Sequence, residues 1–386
     1  MNARTALSAG LTATALLTSA ACTTNGTGED TGDGRTLAVT ATDDSCEVSA
    51  GDAPEGTLTF RVRNAGDQVT EFYLLGDDGL RIVGEVENIG PGLTRNLVVS
   101  APEGDYFTAC KPGMKGKGIR DGFAVTDSGK AFAVSADSRA LVQQASRNYA
   151  AYVQDQSAQL LTGTEQFVDA YEAGEDDRAR TLYAEARVHW ERIETVAESF
   201  GDLDPRMDLR EADLEPGQRW TGWHRLEKDL WPPATYDALS DRQRAVYAED
   251  LLDNTRTLDD RVQGLDFTVD QIANGSRGLL EEVATGKVTG EEEFWSHTDL
   301  WDFQANVDGA RVGYEGVRPV LVERDEDLAR TLDRRFEELQ ALLDQHRRGD
   351  GFVYYDELSR AEVKELADAV NALSEPLSRL TAAVVA

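Results

Sequence analysis

The hydrophobic period of the sequence changes near residue 130. Before that point, apolar and polar residues alternate in short runs such as 37–42 and 56–64, as in β-strands with one buried face. After residue 140, apolar residues recur at helical spacing over much longer runs. One hydrophobic core rarely serves a chain of 386 residues. The sequence therefore predicts a multidomain protein, an all-β sandwich followed by an all-α helix bundle.

The domain boundaries follow from the same change of period. We expect a sheet domain over residues 37–127, a linker over 128–140 and a helical domain over 141–386. The predicted strands are short and are separated by turns rich in glycine, asparagine and aspartate; they are 37–42, 56–64, 71–75, 97–99, 105–109 and 123–125. The predicted helices are 141–173, 177–199, 220–230, 241–285 with a kink near Gly264, 291–321, 328–348 and 354–385.

The first residues have the features of an export signal. A basic head ending at Arg4 precedes an uncharged, apolar run over residues 6–21, which is too short to span a membrane comfortably. Small residues then precede Cys22, which suggests cleavage and lipidation at that cysteine, although Ser19 stands where leucine is usual. Plain cleavage is the alternative. Residues 1–21 are thus a predicted signal peptide, and 22–36 a flexible tether of an exported, membrane-anchored lipoprotein.

Net charge narrows the choice of ligand. The chain has 39 basic and 71 acidic residues, a formal charge of −32. Such a surface repels the phosphate backbone of nucleic acids and anionic membranes, and it attracts cations. Nucleic acid is therefore excluded as a partner, and cations are favoured as ligands.

One segment collects groups that could bind a metal ion. On a helix, His224 and Glu227 share a face, and Glu194 and Glu198, four apart, share another. If the two helices face each other, these groups converge, and Asp204 in the intervening break could add a carboxylate. Such a mixed nitrogen and oxygen site suits iron or zinc better than calcium. Ordinary surface charge is the alternative, which the neighbouring tryptophans disfavour; these are Trp220, Trp223 and Trp231.

Three long segments resemble a known family. The runs HWERIETVAESFGDLDP (189–205), WTGWHRLEKDLWP (220–232) and FWSHTDLWDFQANVDGA (294–310) are similar to the EfeO iron-uptake lipoproteins. Their imelysin-like helical domain is marked by a Gly-x-His-x-x-Glu motif, which Gly222, His224 and Glu227 match. The resemblance extends to the N-terminal part and implies a cupredoxin-like fold for the sheet domain.

The resemblance also implies metal sites in the sheet domain, for copper at the cysteines and for ferric iron at glutamates. The first histidine of the chain is His189, so the two histidines of a blue-copper centre are missing from this domain. A disulfide is the alternative for the two cysteines of an exported chain, and surface charge for the glutamates. The residues of this second candidate site are Cys46, Glu71, Glu85, Glu87, Cys110 and Met114.

The third of the similar segments holds further polar residues. In the family this helix lies near the metal cleft, so His297, Asp299 and Asp302 could hold the metal ligands in place. The alternative is a helix cap at Ser296 followed by core aromatic residues.

Two classes of function follow. The resemblance implies an iron-binding protein, not an enzyme, that takes up ferrous or ferric iron outside the cell, with copper or zinc as other metals. Its implied partners are an EfeU-type permease and an EfeB-type haem peroxidase. The alternatives are a peptidase of the imelysin type and copper-assisted oxidation of ferrous iron. A zinc protease usually shows His-Glu-x-x-His, which is missing from the sequence, as is Gly-x-Ser-x-Gly.

Overall fold

The computed structural model describes residues 34–128 and 136–385. The predicted signal peptide, Cys22 and most of the tether lie outside these residues, as does the middle of the predicted linker. Within the described ranges, a sheet domain precedes a mostly helical domain, so the predicted fold class is confirmed.

The sheet domain is a sandwich of two sheets. Its strands are β1 (Thr36–Ala41), β2 (Cys46–Val48), β3 (Asp52–Pro54), β4 (Gly56–Asn64), β5 (Thr70–Leu75), β6 (Ile82–Ile89), β7 (Thr94–Ala101), β8 (Gly104–Cys110) and β9 (Ile119–Thr126). One sheet has the order β2-β1-β4-β7 and the other β3-β9-β8-β5-β6. Alternate residues of β1 and β4 point inward, which is why the period of two in the sequence predicts them. Phe60, Phe72 and Phe123 pack at the centre of the core.

The helical domain contains more and shorter helices than predicted. They are α1 (Ala136–Glu172), α2 (Asp176–Glu191), α3 (Glu194–Glu198), α4 (Asp204–Met207), α5 (Trp223–Leu230), α6 (Asp241–Val262), α7 (Val269–Thr285), α8 (Asp299–Arg324), α9 (Glu326–Leu343), α10 (Arg360–Leu377) and α11 (Leu380–Val385). A hairpin of β10 (Arg347–Arg348) and β11 (Gly351–Phe352) lies between α9 and α10. The first helix begins at Ala136, within the predicted linker.

Most of the predicted helices are broken or shortened in the structure; 328–348 ends as a helix at Leu343, and 354–385 divides into α10 and α11. The predicted helix 177–199 is two helices, because Asn306 of α8 donates to the carbonyl of Glu191 and so satisfies the group that the break frees. The predicted helix 241–285 divides into α6 and α7, because Thr268 and Gln271 form a capping box at the start of α7. The predicted helix 291–321 begins only at Asp299, since residues 291–298 form a turn.

Helix α7 joins the two domains. The backbone nitrogen of Ser100 on β7 donates to Asp270 Oδ2 at 2.7 Å, and Asn274 Nδ2 donates to the carbonyl of Val98 at 2.9 Å. Arg277 Nη2 donates to the carbonyl of Glu85 on β6 at 2.9 Å. The edge of the sandwich therefore lies against the helices that surround the candidate metal centre. Over the described ranges, no helix is both long and apolar enough to cross a bilayer.

Candidate metal centre

Helix α5 carries the histidine and glutamate of the Gly-x-His-x-x-Glu motif. Gly222 precedes it at φ +88°, and a Cβ atom at this position would lie 2.1 Å from the carbonyl oxygen of Met207. Only glycine fits so close an approach in that conformation. Trp223 anchors the helix from the other side, with ring centroids 5.4 Å from Phe167 and 5.8 Å from Tyr183. The motif glycine therefore sets the position at which His224 enters the core.

Glu227 orients the histidine. Its Oε1 accepts hydrogen bonds from the backbone nitrogens of Trp295 at 2.9 Å and Ser296 at 2.7 Å, while Oε2 lies 3.3 Å from His224 Nδ1. Both His224 and Glu227 are fully buried. A carboxylate can only accept, so Nδ1 carries a hydrogen and Nε2 is the atom left for another partner. The turn at residues 291–298 is thus tied to α5 through Glu227.

His224 Nε2 faces two carboxylates. It lies 3.4 Å from Asp208 Oδ1 and 3.3 Å from Glu292 Oε1, yet none of the residues that the structure describes forms a hydrogen bond with it. Ligands bound about 2.1 Å from one ion lie about 3.0 Å apart at a right angle and about 3.4 Å apart at the tetrahedral angle. The observed separations are those of neighbouring ligands on a single metal ion. Asp208, His224 and Glu292 can therefore share an ion.

Arg187 is the main counter-charge of this centre. Its guanidinium is completely buried on α2 and forms ion pairs with Asp208 and Glu191, and with Glu293 at 2.7 Å. Asp208 Oδ2 also accepts from Trp190 Nε1 at 2.8 Å. A buried carboxylate without such partners would be costly. The arginine therefore allows a concentration of acids in the core of the helical domain.

The charges shift the pKa values of the three groups that face one another. Burial opposes ionisation of Asp208 and Glu292, but Arg187 holds the pKa of Asp208 below its usual range, and Lys287 with His224 holds that of Glu292 well below. Burial and Arg187 disfavour the imidazolium, but Glu227, Glu292 and Asp208 outweigh them and raise the pKa of His224 to about 10. At neutral pH the two carboxyls are thus ionised and the imidazole holds a proton that a metal ion would displace.

The predicted ligands are divided between two places. His224 and Glu227 meet as expected, and Glu194 lies nearby, where its carboxylate accepts from Lys287 Nζ at 2.9 and 3.0 Å. Glu198 and Asp204 instead face a cavity between the two domains. Sequence reasoning missed Asp208 and Glu292 as candidate metal ligands. Asp208 follows Asp204 by four residues, and Glu292 stands in an acidic run directly before the similar segment 294–310, which were the available signals.

Of the three residues predicted to support the ligands, two lie in the centre. Asp302 Oδ2 is 3.4 Å from Arg187 Nε, and Asp299 Oδ1 accepts from the backbone nitrogen of Glu293 at 3.1 Å; both carboxylates are fully buried. Burial raises the pKa of Asp299 to about 7 and that of Asp302 well above its usual range. His297 contributes its backbone carbonyl to Tyr355 at 2.9 Å. His297 lies in the turn that precedes α8, at φ +59°.

A cavity of about 340 Å³ lies between the domains and is rich in carboxylates from both. Burial raises the pKa of Glu85 to about 8, with Glu71 adding to the effect, and raises that of Asp204 to about 7. Lys111 Nζ lies 3.4 Å from Glu71 Oε2 and partly offsets the charge. The carboxylates that line the cavity are Glu71, Glu85, Glu87, Glu198 and Asp204. Glu198 and Asp204 of the first predicted site thus meet the three glutamates of the second at the boundary between the domains.

The two cysteines of the sheet domain are joined to each other. Cys46 on β2 and Cys110 on β8 form a disulfide that links the two sheets. Of the two roles left open by the sequence, the structure has the disulfide. Sulfur atoms bonded to each other present no thiolate, so a copper site at Cys46, Cys110 and Met114 has no thiolate ligand in this structure. The side chain of Met114 is exposed.

Comparison with known proteins places this chain in a family. The imelysin family model (peptidase M75) matches residues 145–380, and a cupredoxin-like domain model matches residues 10–119. The iron uptake system component EfeO of Escherichia coli (strain K12) is 37% identical over 347 residues, which are 89% of this chain and 89% of that protein. The protein of the same name from Shigella flexneri gives the same figures. The chain belongs to the EfeO family.

A solved structure shares part of the fold. The crystal structure of an iron-regulated protein A precursor from Parabacteroides distasonis aligns with a TM-score of 0.50 at 14% identity, covering 63% of this chain and 95% of that one. At this identity the likeness concerns the fold alone. The relatives are named as components of an iron uptake system, whereas the imelysin model also carries a peptidase label.

Proposed function

We propose that this EfeO-family chain is an exported iron-binding protein that captures iron and delivers it to a membrane permease. The observation that carries the proposal is the buried Nε2 atom of His224, which faces Asp208 and Glu292 at the separations expected for ligands of one ion. Iron is the favoured metal because carboxylates suit the ferric ion and imidazole adds affinity for the ferrous ion. The names of the relatives point the same way.

The burial of the centre favours iron binding and transport over peptide hydrolysis. His224 is fully buried and Glu292 is 9% exposed, so a peptide bond could enter the centre only if the helices parted. Glu227 is held by two backbone nitrogens and the imidazole, which leaves it poorly placed as a general base for a water molecule. Zinc is the alternative metal for the same three ligands.

The carboxylates between the domains form the second part of the proposal. A cation entering the cavity would replace the protons that burial now favours on Glu85 and Asp204. Glu71 and Glu198 line the same cavity from opposite domains, so a bound ion would also strengthen their association. We assign a second iron site to this cavity, in which all ligand atoms would be oxygens.

The remaining steps of the proposal concern location and partners. Lipidation at Cys22 would hold the protein at the cell surface or in the periplasm beside its permease, since the chain carries a signal-like N-terminus. An EfeU-type permease would receive the iron, and an EfeB-type haem peroxidase would act in the same system. The net charge of −32 would keep cations concentrated around the protein.

The test is a metal titration of the purified protein with iron in both oxidation states, copper and zinc, followed by elemental analysis after dialysis. His224→Ala and Glu292→Gln should each lower iron affinity at the helical centre at least about tenfold, because each removes a ligand. His189→Gln is the matched control, since His189 lies outside the centre and contacts Gln156 at 2.8 Å. Unchanged iron affinity in both ligand variants would disprove the assignment.

A further inference from the structure

A second buried cation lies beside the histidine centre. Lys287 occupies a short turn, Lys287–Thr289, that follows α7, and the lysine is 1% exposed. Its Nζ lies 3.0 Å from Glu191 Oε2 and 2.9 Å from Glu194 Oε2. Asn306 Nδ2 supports both carboxylates, at 3.1 and 3.0 Å from the same two oxygens. The ammonium group is thus paired with two buried carboxylates that Asn306 also holds.

The turn that carries this lysine is fixed. The hydroxyl of Tyr355 donates a hydrogen bond to the carbonyl of Val288, the residue that follows Lys287. Gly290, at φ +73°, closes the turn under the same ring, and a Cβ atom there would lie 2.4 Å from Tyr355. The Lys287 side chain therefore enters the core from a rigid anchor, and its position is set by the fold.

The acids that pair with Lys287 lie next to those that face His224 Nε2. Glu191, Glu194, Asp208 and Glu292 each offer an oxygen within 4.8 Å of the others, and Asp208 and Glu292 also face His224 Nε2. The fully buried Nε2 faces Asp208 and Glu292. One pair of the four converging carboxylates thus holds the ammonium group and the other pair faces the imidazole, and centres for two metal ions likewise gather several carboxylates around adjacent cation positions.

We propose that the helical core is built as a centre for two cations and that the Lys287 ammonium permanently fills one position, so that the centre takes up a single metal ion. This inference rests on the proposed function, because it assumes that an ion binds at His224. Lys287 is therefore a specificity-determining residue: it sets the stoichiometry and leaves Glu191 and Glu194 neutralised when the ion departs.

A purely structural role for Lys287 predicts a different behaviour. If the lysine only balances buried charge, its removal should weaken folding without creating affinity for a metal. If it stands in for a metal ion, its removal should leave a vacant site of carboxylate oxygens that binds a divalent cation. The two cases differ in the number of ions bound.

The experiment compares metal stoichiometry in the full chain and its Lys287→Met variant, by calorimetric titration with Fe²⁺ under anaerobic conditions and with Zn²⁺. The number of core ions is the number of bound ions per protein that is lost when His224→Ala is introduced. We expect one such core ion in the wild type and one additional ion in Lys287→Met. Lys287→Met/Glu194→Gln should return to the wild-type number, because it removes a ligand of the new position. Lys228→Met is the matched control, since that lysine pairs with Glu211 outside the core.

One further readout and a substitute variant keep the test decisive. Metal should raise the Tm of Lys287→Met more than that of the wild type, because the ion replaces the lost ammonium. If Lys287→Met does not fold, Lys287→Gln takes its place. A wild-type stoichiometry in a folded variant, or a metal-induced rise in Tm no larger than that of the wild type, would overturn the inference. An ion count unaffected by His224→Ala would instead contradict the proposed function.

Discussion

Oε2 of Glu227 lies 3.3 Å from Nδ1 of His224, on the side of the imidazole opposite to Asp208 and Glu292. We therefore expect the two residues of the His-x-x-Glu motif to have different tasks. His224 would present Nε2 to a metal ion, and Glu227 would fix the hydrogen on Nδ1 and the plane of the ring. Spacing of three along a helix brings the pair together, which by itself does not make both of them metal ligands.

This division of tasks makes the first prediction. Glu227→Gln keeps an acceptor for Nδ1 but loses the charge that supports the imidazole, so iron affinity should fall about 10–100-fold. His224→Ala removes a ligand and should cost more. Both affinities are measured by titration at one pH, with exposed Glu375→Gln as the control. A loss in Glu227→Gln that equals or exceeds the loss in His224→Ala would show that Glu227 itself ligates the metal.

Local patterns in the sequence predict the parts of the site that lie within one element. The i, i+3 pair of His224 and Glu227 is correct because α5 alone sets it. Glu194 and Glu198 lie on the same short helix, α3, but Glu194 pairs with Lys287 whereas Glu198 lines the cavity between the domains. Asp208 comes from a different loop, and its approach to the histidine depends on Arg187, which no spacing reveals.

Local sequence patterns have the same limit in predicting the secondary structure. Alternation predicts β1 and β4, whose inner residues all belong to one core. Strand β6 escapes detection because half-buried glutamates at its contact with α7 interrupt the alternation. The break between α2 and α3 depends on Asn306 and on Gly309, where a Cβ atom would lie 2.4 Å from the carbonyl oxygen of Arg192. These partners are over a hundred residues away in the chain, beyond the reach of local patterns.

The motif glycine gives the second prediction. Gly222→Ala would place a Cβ atom 2.1 Å from the Met207 carbonyl oxygen in a backbone conformation that alanine avoids. We expect a loss of at least about 2 kcal/mol in the free energy of unfolding, with displacement of α5. Denaturant unfolding and iron titration together check it. Gly217→Ala also has positive φ but meets no atom within 4 Å, and it should cost less.

The disulfide gives the third prediction. Cys46→Ala/Cys110→Ala opens a loop of 64 residues and should lower the free energy of unfolding by roughly 4 kcal/mol. Iron affinity at the helical centre should not change, because its ligands belong to the other domain. Thermal unfolding and iron titration of the double variant measure the two effects. A stable variant that loses copper binding would instead identify the cysteines as metal ligands.

The cavity between the domains gives the fourth prediction. Burial raises the pKa of Glu85 from its unfolded value of 4.5 to about 8. The contribution of Glu85 to the free energy of unfolding is therefore fully present below pH 4.5, and it is lost as the pH rises through 8. Glu85→Gln, which carries no charge, should therefore be about 1–3 kcal/mol more stable than the wild type at pH 9 and similar to it at pH 4. Exposed Glu47→Gln is the control. Parallel pH profiles of unfolding for wild type and Glu85→Gln would contradict the assignment.

Proton release on metal binding gives the last prediction. Asp208 and Glu292 have lowered pKa values, so both are already ionised at neutral pH, whereas the pKa of His224 in the metal-free protein is raised to about 10. A metal ion at Nε2 must displace that proton. Affinity for Zn²⁺ or Fe²⁺ should then rise with pH by up to about tenfold per unit, from near neutrality until the pH approaches 10.

Calorimetry in buffers of different ionisation enthalpy counts the protons directly, and one proton per ion is expected at pH 7. His224→Ala is the control, because it should bind weakly without this release. Binding at the wild-type centre that releases no proton at pH 7 would mean that the imidazole is already neutral. In that case Glu227, Glu292 and Asp208 would not outweigh the effects of burial and Arg187 on His224.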